Sequence, residues 1–491
     1  MSERRIRAMP FRHHHEVISG EEVELLHTRS LDILDRVGFT TSNPGLLEAM
    51  AEAGQRVDRE ARRIRLDPAF VEDALARCPR TYVLGARDPA LDLPLDGSAG
   101  YLATDGCPAD VIDLETGERR PGTARDLAAI TRLADALPQI AFHWQPVSAN
   151  DAPVPVRPIH ETAVQLRNTT KHIQQMTAID PLNARGVVEM ARVVAGSDES
   201  LRARPVVSNF QCSISPLHWD DGPVECMRIF GEAGIPVGIC AMPLAGASAP
   251  LSIGGMLAMA NAEILSGIAI LQTLAPGTPT MHISYAATID LASGGMNTVW
   301  GTDEVFSAMA NTQLARRYGI PYSVWAFAPG AKYPDWQAGV QAALSAMAMA
   351  LAPGHLITGA GSLYDDVVYS PAELVLDCEI FEMLVRFAEG WRVDDEAIAL
   401  ETIEAVGPGG HFLGTPHTLA NIRSFWRETV MDRSSWEAWE QGGRPDAARA
   451  AADRARALLA EHEPEPLPQD VERELGRIVA AYEGQALERA G

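Results

Sequence analysis

From residue 101 to residue 389 the chain repeats one unit eight times, a short apolar run of strand length followed by a longer stretch of helical period. The first run is 101–104. A helix at 123–137 then leads to 140–147 (IAFHWQPV), and one near 158–169 leads to 171–178 (KHIQQMTA). Helices at 181–195 and 223–233 lead to 205–212 (PVVSNFQC) and 235–242 (IPVGICAM). A Gly/Ala-rich helix at 251–274 leads to 279–286 (PTMHISYA), and a helix at 303–318 to 321–327 (PYSVWAF). A helix at 334–350 leads to 355–359 (HLITG), and the last helix covers 371–389. Strands that alternate with helices of this length pair in parallel through βαβ units. Eight such units fit a TIM (β/α)8 barrel, which takes about 250 residues. The alternative is an open doubly wound sheet. No G-x-G-x-x-G or G-x-x-x-x-G-K-[ST] follows a strand here, which weakens it.

The flanks break the rhythm. Residues 1–98 read as a mainly helical N-terminal domain, with helices at 21–37, after Asn43-Pro44 and at 68–77. Residues 99–390 form the barrel, and residues 391–491 a C-terminal helical extension. Between Glu232 and Asp290 the only charged residue is Glu263, so a membrane span has to be weighed. Pro236, Pro243 and Pro250 interrupt the stretch, and a span needs about 20 largely apolar residues. A buried helix and no membrane contact are expected. A net charge of −24 argues against nucleic acid, which needs a basic footprint. The six cysteines form no C-x-x-C pair, so reduced thiols and a cytoplasmic location are expected, without a structural zinc site.

In a TIM barrel the reacting groups sit at the C-terminal strand ends and in the loops after them. That rule selects Tyr101, Asp105, Trp144, Gln145, Gln174, Thr177, Asn209, Gln211 and Met242. It also selects His282, Tyr285, Trp325, Phe327, Lys332 and His355. Side chains alternate along a strand, and the sequence leaves open which parity faces the lumen. The set is rich in aromatics and neutral hydrogen-bonding groups. A glycosidase needs two carboxylates at strand ends, and only Asp105 qualifies. Core filling explains any one of these aromatics; together they suit a cation that donates no hydrogen bond, such as a quaternary ammonium held by cation–π contacts.

The chain also resembles the trimethylamine methyltransferase family, in particular its branch without pyrrolysine that acts on betaines. The resemblance rests on 113–123 (DLETGERRPGT) with Asp126 and 132–137 (RLADAL), 332–339 (KYPDWQAG) and 373–380 (ELVLDCEI). It extends to 407–418 (GPGGHFLGTPHT), Asp432-Arg433 and 436–439 (WEAW). It implies a subunit that moves a methyl group from a quaternary amine, such as glycine betaine, to the Co(I) of a corrinoid (cobalamin) on a separate partner protein. Cobalt(I) is a strong nucleophile, so the subunit would orient and desolvate the reacting pair, with no general base and no metal of its own. On this expectation Trp144, Tyr285, Trp325 and Phe327 surround the trimethylammonium, with Tyr101 and His282 among the substrate contacts. Lys332 or His355, with Gln174 and Asn209, holds a substrate carboxylate. His411 and His417 close over the corrinoid or cap helices. A homo-oligomer is expected. A metal-dependent TIM-barrel lyase or hydrolase and a non-catalytic betaine-binding subunit are the other readings.

Overall fold

The computed structural model describes residues 5–292, 294–297 and 301–490. Eight strands pair in parallel and in sequence order: β1 (Ala99–Thr104), β2 (Ile140–His143), β3 (His172–Gln175), β4 (Val207–Cys212), β5 (Val237–Ala241), β6 (Thr280–Ser284), β7 (Tyr322–Trp325) and β8 (Leu356–Ala360). β8 returns to β1 in parallel, with Leu356 beside Tyr101 and Ile357 beside Leu102. That pairing closes the barrel.

Each strand is followed by a helix on the outside: α1 (Ala124–Ala136), α2 (Arg157–Asn168), α3 (Pro181–Ala195), α4 (Asp221–Glu232), α5 (Ile253–Leu274), α6 (Thr302–Tyr318), α7 (Trp336–Leu351) and α8 (Pro371–Glu389). Their starts are written locally. Thr123 and Asp126 form a capping box at α1, while Asp180 and Ser370 cap α3 and α8, each with proline in the first turn. Gly319 ends α6 in the left-handed conformation at φ 62°.

Outward side chains such as Val237, Ile239, Val324 and Ile357 pack beneath the helices. Inward ones, including Tyr101, Trp144, Phe210, Cys240, Ile283, Tyr285 and Trp325, fill the lumen. Leu84, Leu93 and Leu95 belong to the same inner cluster. They come from the antiparallel hairpin Tyr82–Leu84/Leu93–Leu95, which plugs the base of the barrel. The C-terminal ends of the strands therefore form the mouth.

α5 is the apolar stretch considered above as a span. It is long and apolar enough to cross a bilayer, but 83% of that window is buried within the fold. Its Glu263 accepts from Ser213 Oγ (2.6 Å), Ser215 Oγ (2.7 Å) and Leu217 N (2.9 Å), and so ties down the loop after β4. A fully satisfied carboxylate is what allows an acid inside such a helix.

The N-terminal segment has the expected helices, Gly20–Arg36, Pro44–Glu52 and Pro68–Arg77. It also has the strands Phe39–Thr41, Arg56–Asp58 and Arg63–Arg65, which the helical reading passed over. His218–Trp219, from the loop after β4, pairs with Phe39–Thr41. The C-terminal region begins with two short helices, Asp395–Ile398 and Leu400–Val406, separated by Ala399 at φ 54°. Ala447–Glu461 buries Ala451, Ala455 and Leu458 in the cluster shared with α1 and α8. Just beyond it, His462 Nε2 lies 2.7 Å from Asp135 Oδ2 of α1. Gln469–Ala490 lies along α3, where Arg477 pairs with Glu189.

Candidate functional site in the barrel mouth

The parity that the sequence left open is settled by the closed barrel. Tyr101, Trp144, Gln174, Phe210, Cys240, Tyr285 and Trp325 turn inward. Four aromatics form an arc across the upper lumen. Phe210 lies 5.1 Å from Trp144 between ring centroids, Trp144 5.8 Å from Tyr285, and Tyr285 5.2 Å from Trp325. The polar ends of the two central rings, Trp144 and Tyr285, are held by the strands. The Trp144 indole donates to Gln174 Oε1, and Gln174 Nε2 donates to Ser208 Oγ at 3.2 Å. Tyr285 Oη bonds Ser323 Oγ (3.0 Å) and Thr358 Oγ1 (3.3 Å). Rings held this way have fixed faces, which is what a cation–π site requires.

At the end of the arc stands an acid pair. Asp105 follows β1, fully buried, and its Oδ1 accepts from Gly106 N at 3.0 Å. Its Oδ2 makes no close hydrogen bond to a neutral donor, while the Trp325 indole and the Ser362 hydroxyl stand beside the carboxyl and favour its ionised form. Asp366, from the loop after β8, lies within hydrogen-bonding reach of Asp105, and Ser362 Oγ is 3.5 Å from Asp366 Oδ1. Burial holds both carboxyls above the usual range, Asp366 further because of Asp105 beside it. Two carboxyls this close bond each other only by sharing a proton. Tyr364, Asp365 and Asp366 all have left-handed backbone, with φ of 54°, 53° and 66°. Three consecutive residues held there mark a loop shaped against local preference, a condition found at binding sites. Behind the pair, on α8, Asp377 accepts from Gly361 N at 2.8 Å, and burial pushes Glu373 up to about 8.

A second polar group lies between β2 and β3. Glu161 of α2 accepts from Ala149 N (3.0 Å) and Thr177 Oγ1 (3.3 Å), and Thr177 Oγ1 lies 3.2 Å from Gln145 Oε1. Burial pushes Glu161 up to about 7.

Several expected site residues lie elsewhere. Asn209 points outward from β4, where its Nδ2 donates to Gln175 O at 2.9 Å. His282 points outward from β6 and bonds Asn261 of α5 at 3.2 Å; burial lowers it to about 3, so it is neutral. Phe327 shares its parity with Trp325, but its φ of 59° breaks the alternation, and it packs in the outer cluster under the helices. His355 immediately precedes β8, at the base. It lies 4.8 Å from the Tyr322 ring and 5.4 Å from that of Phe11, and burial lowers it to about 4. Lys332 is on the outer rim, with Nζ donating to Gly330 O at 2.6 Å and lying 4.3 Å from the centre of the Tyr364 ring. Gln174 faces inward, but its amide is used to orient Trp144. Tyr101 sits low in the lumen, its hydroxyl donating to Pro94 O at 3.3 Å.

His417 lines a groove with Arg386, Gly390 and Trp391. α8 runs from mouth to base, so within one chain this groove lies near the base, not over the mouth. His411 is exposed on the preceding segment. Phe210 was passed over between the named Asn209 and Gln211, because only the closed barrel reveals its parity. Asp366 sits in a loop without any periodic signal.

Around the mouth, the loops after β2 to β8 each expose a large apolar side chain: Val154, Ile179, Ile214, Met242, Leu291, Tyr333 and Tyr364. Among the described residues no three His, Cys, Asp or Glu side chains are grouped so as to hold a metal.

The family model for trimethylamine methyltransferases matches residues 4–485. The chain belongs to the trimethylamine methyltransferase family. It is 32% identical over 468 residues to a trimethylamine methyltransferase of Desulfitobacterium hafniense, covering 95% of this chain and 94% of that one. It is 29% identical over 469 residues to a glycine betaine methyltransferase of the same species, covering 95% and 97%. A Methanosarcina thermophila trimethylamine methyltransferase is 29% identical over 467 residues, covering 94% and 96%. Among solved structures, the Methanosarcina barkeri monomethylamine methyltransferase matches with 11% identity and a TM-score of 0.48, over 90% of this chain and 92% of that chain. The strand pairing carries the fold assignment independently of that likeness. The chain is a methyltransferase by family, and its relatives named for different amines leave the substrate to be argued from its own lumen.

Proposed function

We propose that this subunit transfers a methyl group from a quaternary amine to the cobalt of a corrinoid carried by a separate protein. The observation that carries this reading is the arc Phe210–Trp144–Tyr285–Trp325, whose fixed ring faces suit an ammonium head. Bound to its carrier, the corrinoid supplies the nucleophile. The exposed apolar rim of the mouth suits the edge of such a macrocycle and the protein presenting it. The chain's own residues hold the ammonium, aim one methyl toward the mouth and exclude water. The nitrogen keeps the electron pair of the broken C–N bond and leaves as a neutral amine, so no proton has to move in that step. A betaine substrate also needs a partner for its carboxylate, and Lys332, His355 and Asn209 are placed outside the lumen. The ammonium half of the expected site is thus better supported than the carboxylate half. A cytoplasmic setting, where Cys212 and the neighbouring Cys240 stay unbridged thiols, belongs to this reading, as does self-association through the apolar surface of the C-terminal region.

The test is to mix the protein with a reduced corrinoid protein and supply trimethylamine, tetramethylammonium, choline, glycine betaine, proline betaine or carnitine in turn. Absorbance should report methylation of the corrinoid with at least one of the five quaternary amines. No methylation, or methylation by trimethylamine alone, refutes the reading.

A further inference from the structure

Asp105 follows β1 as a fully buried carboxyl whose Oδ2 makes no close hydrogen bond to a neutral donor, with the Trp325 indole and the Ser362 hydroxyl beside it. Asp366 approaches the same spot from the loop after β8. The strands turn no lysine or arginine into the lumen, and the inward His172 at the base is already bonded to Gly85 O and Ser208 Oγ. We infer that the Asp105–Asp366 pair selects the charge type of the amine: it admits a methylated ammonium that carries no carboxylate and disfavours zwitterionic betaines. The inference rests on the reading of the aromatic arc as the ammonium site.

The physical reason is charge compensation. A buried carboxylate without a counter-charge is costly, and a cation seated against the arc provides one. A betaine held with its ammonium in that place brings its own carboxylate near the pair, where like charges repel. No cation on the strands offsets this.

The pair also couples binding to protons. When empty, it holds a shared proton. An ammonium favours the fully ionised pair, so binding expels that proton and strengthens as pH rises. The other groups facing the pair do not reverse this. Burial keeps the Cys107 thiol and the Tyr285 and Tyr369 phenols neutral. Asp365 and Asp377 are acids that oppose ionisation of the pair, and so favour the shared proton in the empty site.

The experiment is a titration of tryptophan fluorescence and heat, without corrinoid protein, using tetramethylammonium chloride and glycine betaine between pH 6 and 9. Tetramethylammonium should bind roughly tenfold or more tightly than glycine betaine, and its Kd should fall as pH rises. Calorimetry in two buffers of different ionisation heat should show proton release. Asp105→Asn and Asp366→Asn should weaken tetramethylammonium binding by roughly tenfold and close the gap between the two ligands. The wild-type pH series and proton count stand even where a variant misfolds. Glycine betaine binding as tightly as tetramethylammonium, pH-independent binding, or binding of neither overturns the inference. The first of these would point instead to Arg157, the cation beside Glu161. Selective binding without methylation of any corrinoid protein would leave the selector standing and remove the methyl-transfer reading. Equal methyl transfer from both compounds would do the reverse.

Discussion

Glu161 provides a sharp test of how the mouth is balanced electrostatically. The side chain is 1% exposed, and burial lifts it from 4.5 to about 7. The shift is about 2.5 units, which at about 1.4 kcal/mol per unit corresponds to about 3 kcal/mol between the two protonation states. The folded-state pKa lies above the unfolded one, so between these values the folded state holds the extra proton. Wild-type stability therefore falls as pH rises from about 4.5 to about 7 and then levels off. Glu161→Gln removes the ionisation while its carbonyl still accepts from Ala149 N. At pH 5 the variant should melt close to wild type. At pH 8.5 it should be more stable by up to about 3 kcal/mol, or about 3 °C for a chain of this length at the usual unfolding entropy per residue. Thermal melts followed by circular dichroism at both pH values measure the difference. A variant that loses stability equally at both would refute the argument, because the carboxylate would then be stabilised by its partners.

Three further outcomes follow from other elements. Lys171 is buried and its Nζ donates to Ala134 O, Leu137 O and Ile140 O at 2.8, 2.7 and 2.6 Å. Lys171→Met strands those carbonyls, two at the C-terminal end of α1 and one at the start of β2, and should lower stability by about 2 kcal/mol or more in urea melts. Glu263→Ala leaves three donors in the loop after β4 without their acceptor and should cost about 3 kcal/mol, with Glu263→Gln milder; equal stability of all three proteins would exclude that role. Trp391, Val393, Leu413, Phe425 and Trp436 expose large apolar side chains in the C-terminal region, more than a monomer usually leaves bare. Light scattering after size exclusion should find an oligomer that Leu413→Glu with Trp391→Glu weakens, and a monomer throughout the micromolar range would rule this out.

The sequence by itself determined the eight units, the barrel class and several helix bounds. α3 and α8 run over Pro181–Ala195 and Pro371–Glu389, as their proline and cap signals require. Such signals are local: a cap or a period is complete within one or two turns of chain. The aromatic character of the site was legible for the same reason, since Trp144, Tyr285 and Trp325 lie at strand ends that periodicity can find. Only the tertiary structure decided which of these side chains meet. Closing β8 on β1 chose the parity that turns Phe210 inward and Asn209 and His282 outward, and put His355 at the base. One left-handed residue sent Phe327 under the helices. The acid pair joins the end of the first strand to the loop after the last, two places that no sequence window contains together. Raised carboxyl pKa values arise from burial among distant neighbours, so the charge of the mouth exists only once the barrel has closed.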